Sequence, residues 1–416
     1  MRSDPPDAEI TLDSKTVRNR SWLLQSGTLI KNLLPGRHEL TVSKSGYRDW
    51  KKYVTVAPSL VNEIDSIVLV KDGPPTKLTE TLEDAWLTNN GTVVKNSGIL
   101  FFLGQPLQGH DFISIDSDHK FLLSATTTPK TKQRSLLLIN NDTKKILELD
   151  ALLKSLRERN LREKGAFVIS RAEFHPDISG GIFIGGNGGL YAINSETEDI
   201  QKIASSTVKI TGLASSSVSY AATNFMKPFS EAMYFETMGG RIARYEYQTG
   251  ITRLIPTTTV NMIYDLIPFT FTGRNALAVL EKNGSLRVIV EETGAEEILA
   301  TDAVAFSMAP DTEKIAFSDS DGKISVKYLD EKKQNKNTGF YPDLEGVVVM
   351  LVWYRDSAHL LAHYDSGKLY FIETDGISPI NAYLIGESVK KFRYDSAKNT
   401  VQFFGSEALF EFNFEN

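Results

Sequence analysis

The chain has 416 residues and no cysteine, with 10 % aromatics, 29 glycines and a formal net charge of -6. Disulfides, thiol nucleophiles and cysteine metal sites are thereby excluded. Residues 1–71 hold 11 basic and 8 acidic side chains, a balance of +3 that leaves -9 for the rest, and no basic stripe offers itself to phosphates, so nucleic acid is not expected as a partner.

No run reaches the roughly 18 apolar residues of a membrane span, and Met1 is followed almost at once by Ser3-Asp4-Pro5-Pro6, which leaves no room for a signal peptide in the chain as written. An in-frame apolar segment upstream would make it an anchored protein.

The first seventy residues alternate. Leu40 and Val42 fall on one face of an extended segment, and Val54 and Val56 on one face of a second. Pro35-Gly36 signals a turn before the first, and Gly46 sits where positive φ is needed between them. With residues 8–13 and 64–70 this predicts about four strands of a small antiparallel β-domain over 1–70. Tyr47, Arg48 and Trp50 make an aromatic and cationic cluster at the hairpin that could stack on a sugar ring; the competing expectation is that the rings cover a small core. His38, beside a turn, reads as structural.

The stretch "DPPDAEITLD" followed by "LLPGRHELTVSKSGY" resembles the PEGA domain, with Pro35, Gly36, His38, Lys44, Gly46 and Tyr47 on its pattern from about Ser3 to Val70. Asp7 stands where the name-giving Gly would be, and Ser14 replaces the Gly of Asp-Gly. The resemblance implies a small β-sandwich of a bacterial envelope or surface protein, extracytoplasmic and close to a membrane anchor, with envelope polysaccharide or surface-protein binding.

Residues 71–75, Lys-Asp-Gly-Pro-Pro, read as a short stiff linker. From 76 to 416 one module recurs: strand, acidic turn, strand, Gly hairpin, strand, second turn, strand. The hairpin glycines Gly189, Gly240, Gly284, Gly322 and Gly367 recur at intervals of 51, 44, 38 and 45 residues, the period of a β-propeller blade. Eight units are counted, seven being the alternative. The last has three strands before the chain ends, so its fourth is expected from 76–81. "VAFSMAPD" and its repeats are similar to the WD40-like repeats of TolB-type propellers, with no Gly-His and Trp-Asp pair of ordinary WD40 repeats. Leu149, Leu152, Leu153 and Leu156 predict an amphipathic helix inserted over 149–164, capped by Asp150 and ended by Gly165.

Chemistry-bearing residues are sparse. His359 and His363 lie in a predicted strand rather than on a helix that would bring i and i+4 ligands together, so no metal site is assigned. Asp177, Asp311, Asp356 and Asp395 share one turn position, where Asp bonds its own backbone. "GGIFIGGNGGLYAIN" lacks the Lys-Ser/Thr of a phosphate loop, and Ser215 to Ser219 lack a nucleophile elbow. The expectation is a non-catalytic binding or scaffold protein without cofactor, with a ligand contact at Tyr47, Arg48 and Trp50. The rivals are a propeller enzyme, a hydrolase or dehydrogenase with residues gathered at the channel mouth, and a purely structural spacer.

Overall fold

The computed structural model describes residues 1–414 apart from 18–26, 59–62, 65, 80, 89–90, 103, 108–110, 117, 128–133, 164–168, 177, 187–188, 205–206, 212–231, 238–239, 258 and 261. Its N-terminal part is a four-stranded antiparallel sheet built from β2 (Glu9–Leu12), β3 (Lys15–Val17), β4 (Gly36–Ser43) and β5 (Trp50–Val56), in the order β3-β2-β4-β5. Gly46 turns the β4–β5 hairpin with φ of 82°, a conformation that side chains with a Cβ rarely adopt.

The fourth expected strand, 64–70, takes a different place. Only β6 (Ile67–Val68) is extended, and it pairs in parallel with β1 (Ser3–Asp4), while β3 fills the position in the sheet. The reason is burial on both faces. Ile67 and Leu69 enter the core of the small domain with Ile10, Val42 and Trp50, whereas Val68 and Val70 enter a cluster of the second domain. A period-2 alternation here serves two cores at once.

Among the described residues of 84–413 there are eight four-stranded antiparallel sheets, numbered here in chain order, the last completed by β7 (Thr76–Lys77) pairing with Ala408–Asn413. That pairing is the end-to-end closure expected from the three-stranded final unit. Hydrophobic clusters lie between every consecutive pair of sheets and again between the eighth and the first, where Phe404 and Leu409 meet Ala85 and Leu87. A lone sheet of this kind exposes two apolar faces, and a closed circle of sheets covers them all. At the seam Lys391 donates to Asp84 across 2.7 Å, and Arg393 donates to the carbonyl of Thr88. The repeat glycines do what their spacing predicts: Gly284 and Gly367, at φ of 87° and 80°, close their hairpins by bonding back three residues, to Glu281 and Tyr364.

The inserted helix α1 (Leu149–Asn160) buries Leu149, Leu153 and Leu156 in the cluster between the second and third sheets. Its cap differs from expectation: Glu148 is the N-cap and Asp150 lies in the first turn, because the strand Ile146–Glu148 runs directly into the helix. Asp150 there complements the helix dipole. Gly165 lies outside the described residues. Just beyond the helix, Glu163 accepts from Lys202 at 2.6 Å, from Tyr191 at 2.6 Å and from Arg157 at 3.2 Å, tying the helix to the third sheet. These bonds, Lys202 first, hold its carboxyl down to about 2.

Candidate functional site

The β4–β5 hairpin carries two candidate sites, one at each end. At the Trp50 end the small domain is seated on the seventh sheet. Along β5 the inward positions are Trp50, Lys52, Val54 and Val56, so a lysine points the way of the core residues. Its charge is met there: Lys52 Nζ lies 2.9 Å from Glu373 and 2.7 Å from Asp375, and also donates to the carbonyl of Ile377. The indole N–H of Trp50 donates to the same Glu373. Arg48 donates to the carbonyl of Leu384 at 2.8 Å, Tyr383 donates to the carbonyl of Asp49 at 3.0 Å, and the Asn381 amide exchanges bonds with the backbone of Lys51. The strand Ala382–Gly386 is the outer strand of the seventh sheet, and the small domain covers that edge.

Tyr47, Arg48 and Trp50 are therefore brought together, but around a different task from stacking on a sugar. Trp50 is 1 % exposed and has no open ring face. Arg48 is engaged with Leu384, and Asp72 lies 3.7 Å from it. Tyr47 is half-buried, packs against the small-domain core and pairs with Lys71 in an isolated β-bridge. Of the three, Arg48 and Trp50 are engaged at the joint.

Behind the joint, His359 is wholly buried beside Glu373, its partner in strand register. Its ring stacks on Phe371 with centroids 4.7 Å apart, and Nδ1 lies 2.7 Å from Asp356. Burial opposes a charge on this imidazole, yet the Asp356 carboxylate outweighs it and holds His359 above its ordinary value; burial likewise opposes the Asp356 charge, and His359 outweighs it and holds the carboxyl low. His363 bonds the carbonyl of Val389 instead, and no group of three or more His, Asp or Glu side chains among the described residues is arranged to hold a metal. Asp311, Asp356 and Asp395 each accept from backbone N–H groups two or three residues on, the turn-building role that their recurrence implied. Asp177 and Ser215 to Ser219 lie outside the described residues.

The opposite end of the hairpin is open. A cavity of about 630 Å³ lies against Leu12, Leu40, Val54 and Val56 of the sheet, with Ile30 and Ile64 also in its lining. That volume falls in the range of about 300–1,000 Å³ common to small-molecule sites. From Trp50 to Val56 an extended strand runs about 20 Å, and Leu40, which lines the cavity, stands opposite Lys52 of the joint, so the cavity wall reaches the middle of the hairpin. On its rim His38 makes two bonds, Nδ1 to Asp13 Oδ2 at 2.6 Å and Nε2 to the carbonyl of Leu34 at 2.8 Å. Both partners are acceptors, an arrangement that favours the imidazole protonated at both nitrogens. The bond to Asp13 accordingly raises the His38 pKa and lowers that of Asp13. Leu29 in the cavity lining and Leu34, between the lining residues Leu33 and Pro35, are 67 % and 78 % exposed, the two most exposed large hydrophobic side chains among the described residues.

Residues 1–66 match the PEGA domain family. Among curated proteins none matches the chain. Among solved structures it is similar to dihydro-heme d1 dehydrogenase NirN in complex with DHE (TM-score 0.51, 12 % identity, 74 % of this chain and 67 % of that one). It is also similar to Saccharomyces cerevisiae Sqt1 (TM-score 0.51, 14 % identity, 83 % of this chain and 100 % of that one). Kluyveromyces lactis Hsv2 aligns at a TM-score of 0.42 and 12 % identity over 60 % of this chain and 76 % of that one. At such identities NirN and Sqt1 speak to fold alone. Together with the closed circle of sheets, these matches make the chain a PEGA domain joined to a β-propeller.

Proposed function

We propose that this protein is a non-catalytic scaffold of the bacterial cell envelope, extracytoplasmic, in which the small domain engages the envelope and the propeller presents a surface to a protein partner. The observation that supports this reading is the joint. Trp50 and Lys52 are sunk into Glu373 and Asp375 of the seventh sheet, so the two modules share a fixed geometry and binding at one positions the other. That differs from two weak binders on a loose tether, whose gain depends on linker length. Arg48 and Trp50 belong to this joint, and the free end of the small domain is where an envelope ligand would be met.

The test is sedimentation of the purified full chain with washed bacterial envelope fragments. Saturable co-sedimentation, weakened by substitutions at the free end and kept when Tyr341 on the propeller surface is changed to Ala, is the expected result. A chain that stays in the supernatant at every envelope concentration would overturn the reading. No helix among the described residues is long and apolar enough to cross a membrane.

A further inference from the structure

We infer that the cavity at the free end of the small domain takes the acyl chain of an anionic membrane lipid. This rests on the scaffold reading for its setting, and on three observations of its own for its chemistry. The first is the wall: besides Thr28, Asn32, His38 and Glu63, it holds the aliphatic Leu12, Leu40, Val54, Val56, Ile30 and Ile64, which offer no π-face for a sugar. Whatever is buried against them is favoured in proportion to its hydrocarbon area. The second is the mouth. Leu29 and Leu34 stand 67 % and 78 % exposed beside the opening, an arrangement that water penalises and a bilayer interface accepts. The third is charge. Exposed Lys31 and Arg37 flank the same segment, and His38 at the rim is paired with Asp13, so that pair adds no net charge. Asp13 is spent on His38, which leaves Glu63 as the acid lining the cavity. Cations near a surface of anionic headgroups draw the domain to it, and the leucines and the cavity then hold it.

The test uses the full chain and large unilamellar vesicles, of phosphatidylcholine alone or mixed equally with phosphatidylglycerol, together with a fluorescent dodecanoate. The expected result is co-sedimentation with the anionic vesicles, weaker binding to phosphatidylcholine alone, and displacement of the fluorescent chain by unlabelled dodecanoate. Leu29→Asn with Leu34→Asn should weaken vesicle binding at least about tenfold, since two leucines no longer leave water. Val56→Trp, which fills the cavity, should abolish dodecanoate binding; should it fail to fold, competition by dodecanoate for vesicle binding decides the same point. Wild-type chain that ignores anionic vesicles, a leucine pair variant that binds them undiminished, or vesicle binding without any uptake of dodecanoate would each overturn the assignment. If envelope fragments still bind while vesicles do not, the scaffold reading survives and this inference falls.

Discussion

At its Trp50 end the β4–β5 hairpin is aromatic and charged, with Lys52 and Glu373 packed where almost no water reaches them and Asp375 at the exposed margin. At its Val56 end the same two strands border an open cavity with leucines standing in solvent. One hairpin thus carries a closed contact and an open one. The lesson is that an exposed-looking aromatic and cationic stretch in a sequence can be consumed by a neighbouring domain, while plain aliphatic residues nearby are the ones left free.

Substitutions should separate the two ends by size of effect. Lys52→Ala leaves Glu373 buried without its cation, and Trp50→Ala removes a fully buried ring together with a donor to the same carboxylate. Each is expected to cost about 3–5 kcal/mol in the unfolding transition that includes the joint, read by urea titration followed through tryptophan fluorescence for Lys52→Ala and circular dichroism for Trp50→Ala. A cost below about 1 kcal/mol for both would mean that the joint is superficial.

Helix α1 offers an intermediate case, a second element docked on the propeller by a polar network. Glu163→Gln removes the carboxylate that Lys202, Tyr191 and Arg157 share, for an expected loss of about 1–3 kcal/mol. The sign with pH follows from its depressed pKa: the stabilisation is fully present above the ordinary value of 4.5 and is lost as pH falls toward about 2. Acid titration of stability should therefore show a drop in that window in the wild type and a smaller one in the variant.

The free end should respond least. Leu29→Asn and Leu34→Asn, exposed and outside any core, are expected to change stability by no more than about 0.5 kcal/mol each. His38 there titrates from a raised pKa, so its contribution is complete below the ordinary imidazole value of 6.5 and fades as pH climbs through the folded value. Asp13 works in the opposite sense, its lowered pKa keeping its contribution above the ordinary 3.8 and losing it in acid. Proton NMR of the His38 ring should place its midpoint above 6.5, and Asp13→Asn should bring it back down.

The propeller was legible because its signals are local. Hairpin glycines, Asp turns and the missing last strand each involve residues a few positions apart or a count of strands, and the closing partner at Thr76–Lys77 followed from that count. The joint was not, because Trp50 and Glu373 are 323 residues apart and nothing near either one names the other. One signal was available: Lys52 shares strand parity with Trp50, Val54 and Val56, and a lysine on the inward face of a strand needs a buried acid somewhere. The short strand β6 misled for a related reason. Its unbroken Ile67-Val68-Leu69-Val70 run reads as an ordinary strand, and only the second domain reveals that alternate residues serve different cores.

The absence of native cysteine makes the fixed joint directly measurable, because two introduced cysteines are then the sole labelling sites. Spin labels at Glu39→Cys on β4 and Lys332→Cys on the propeller, both exposed positions, report one distance across the joint. Double electron–electron resonance should return a single narrow distribution that broadens when Trp50→Ala and Lys52→Ala are added. A wide distribution in the otherwise unaltered chain would contradict the account, since it would show the small domain swinging free of the seventh sheet.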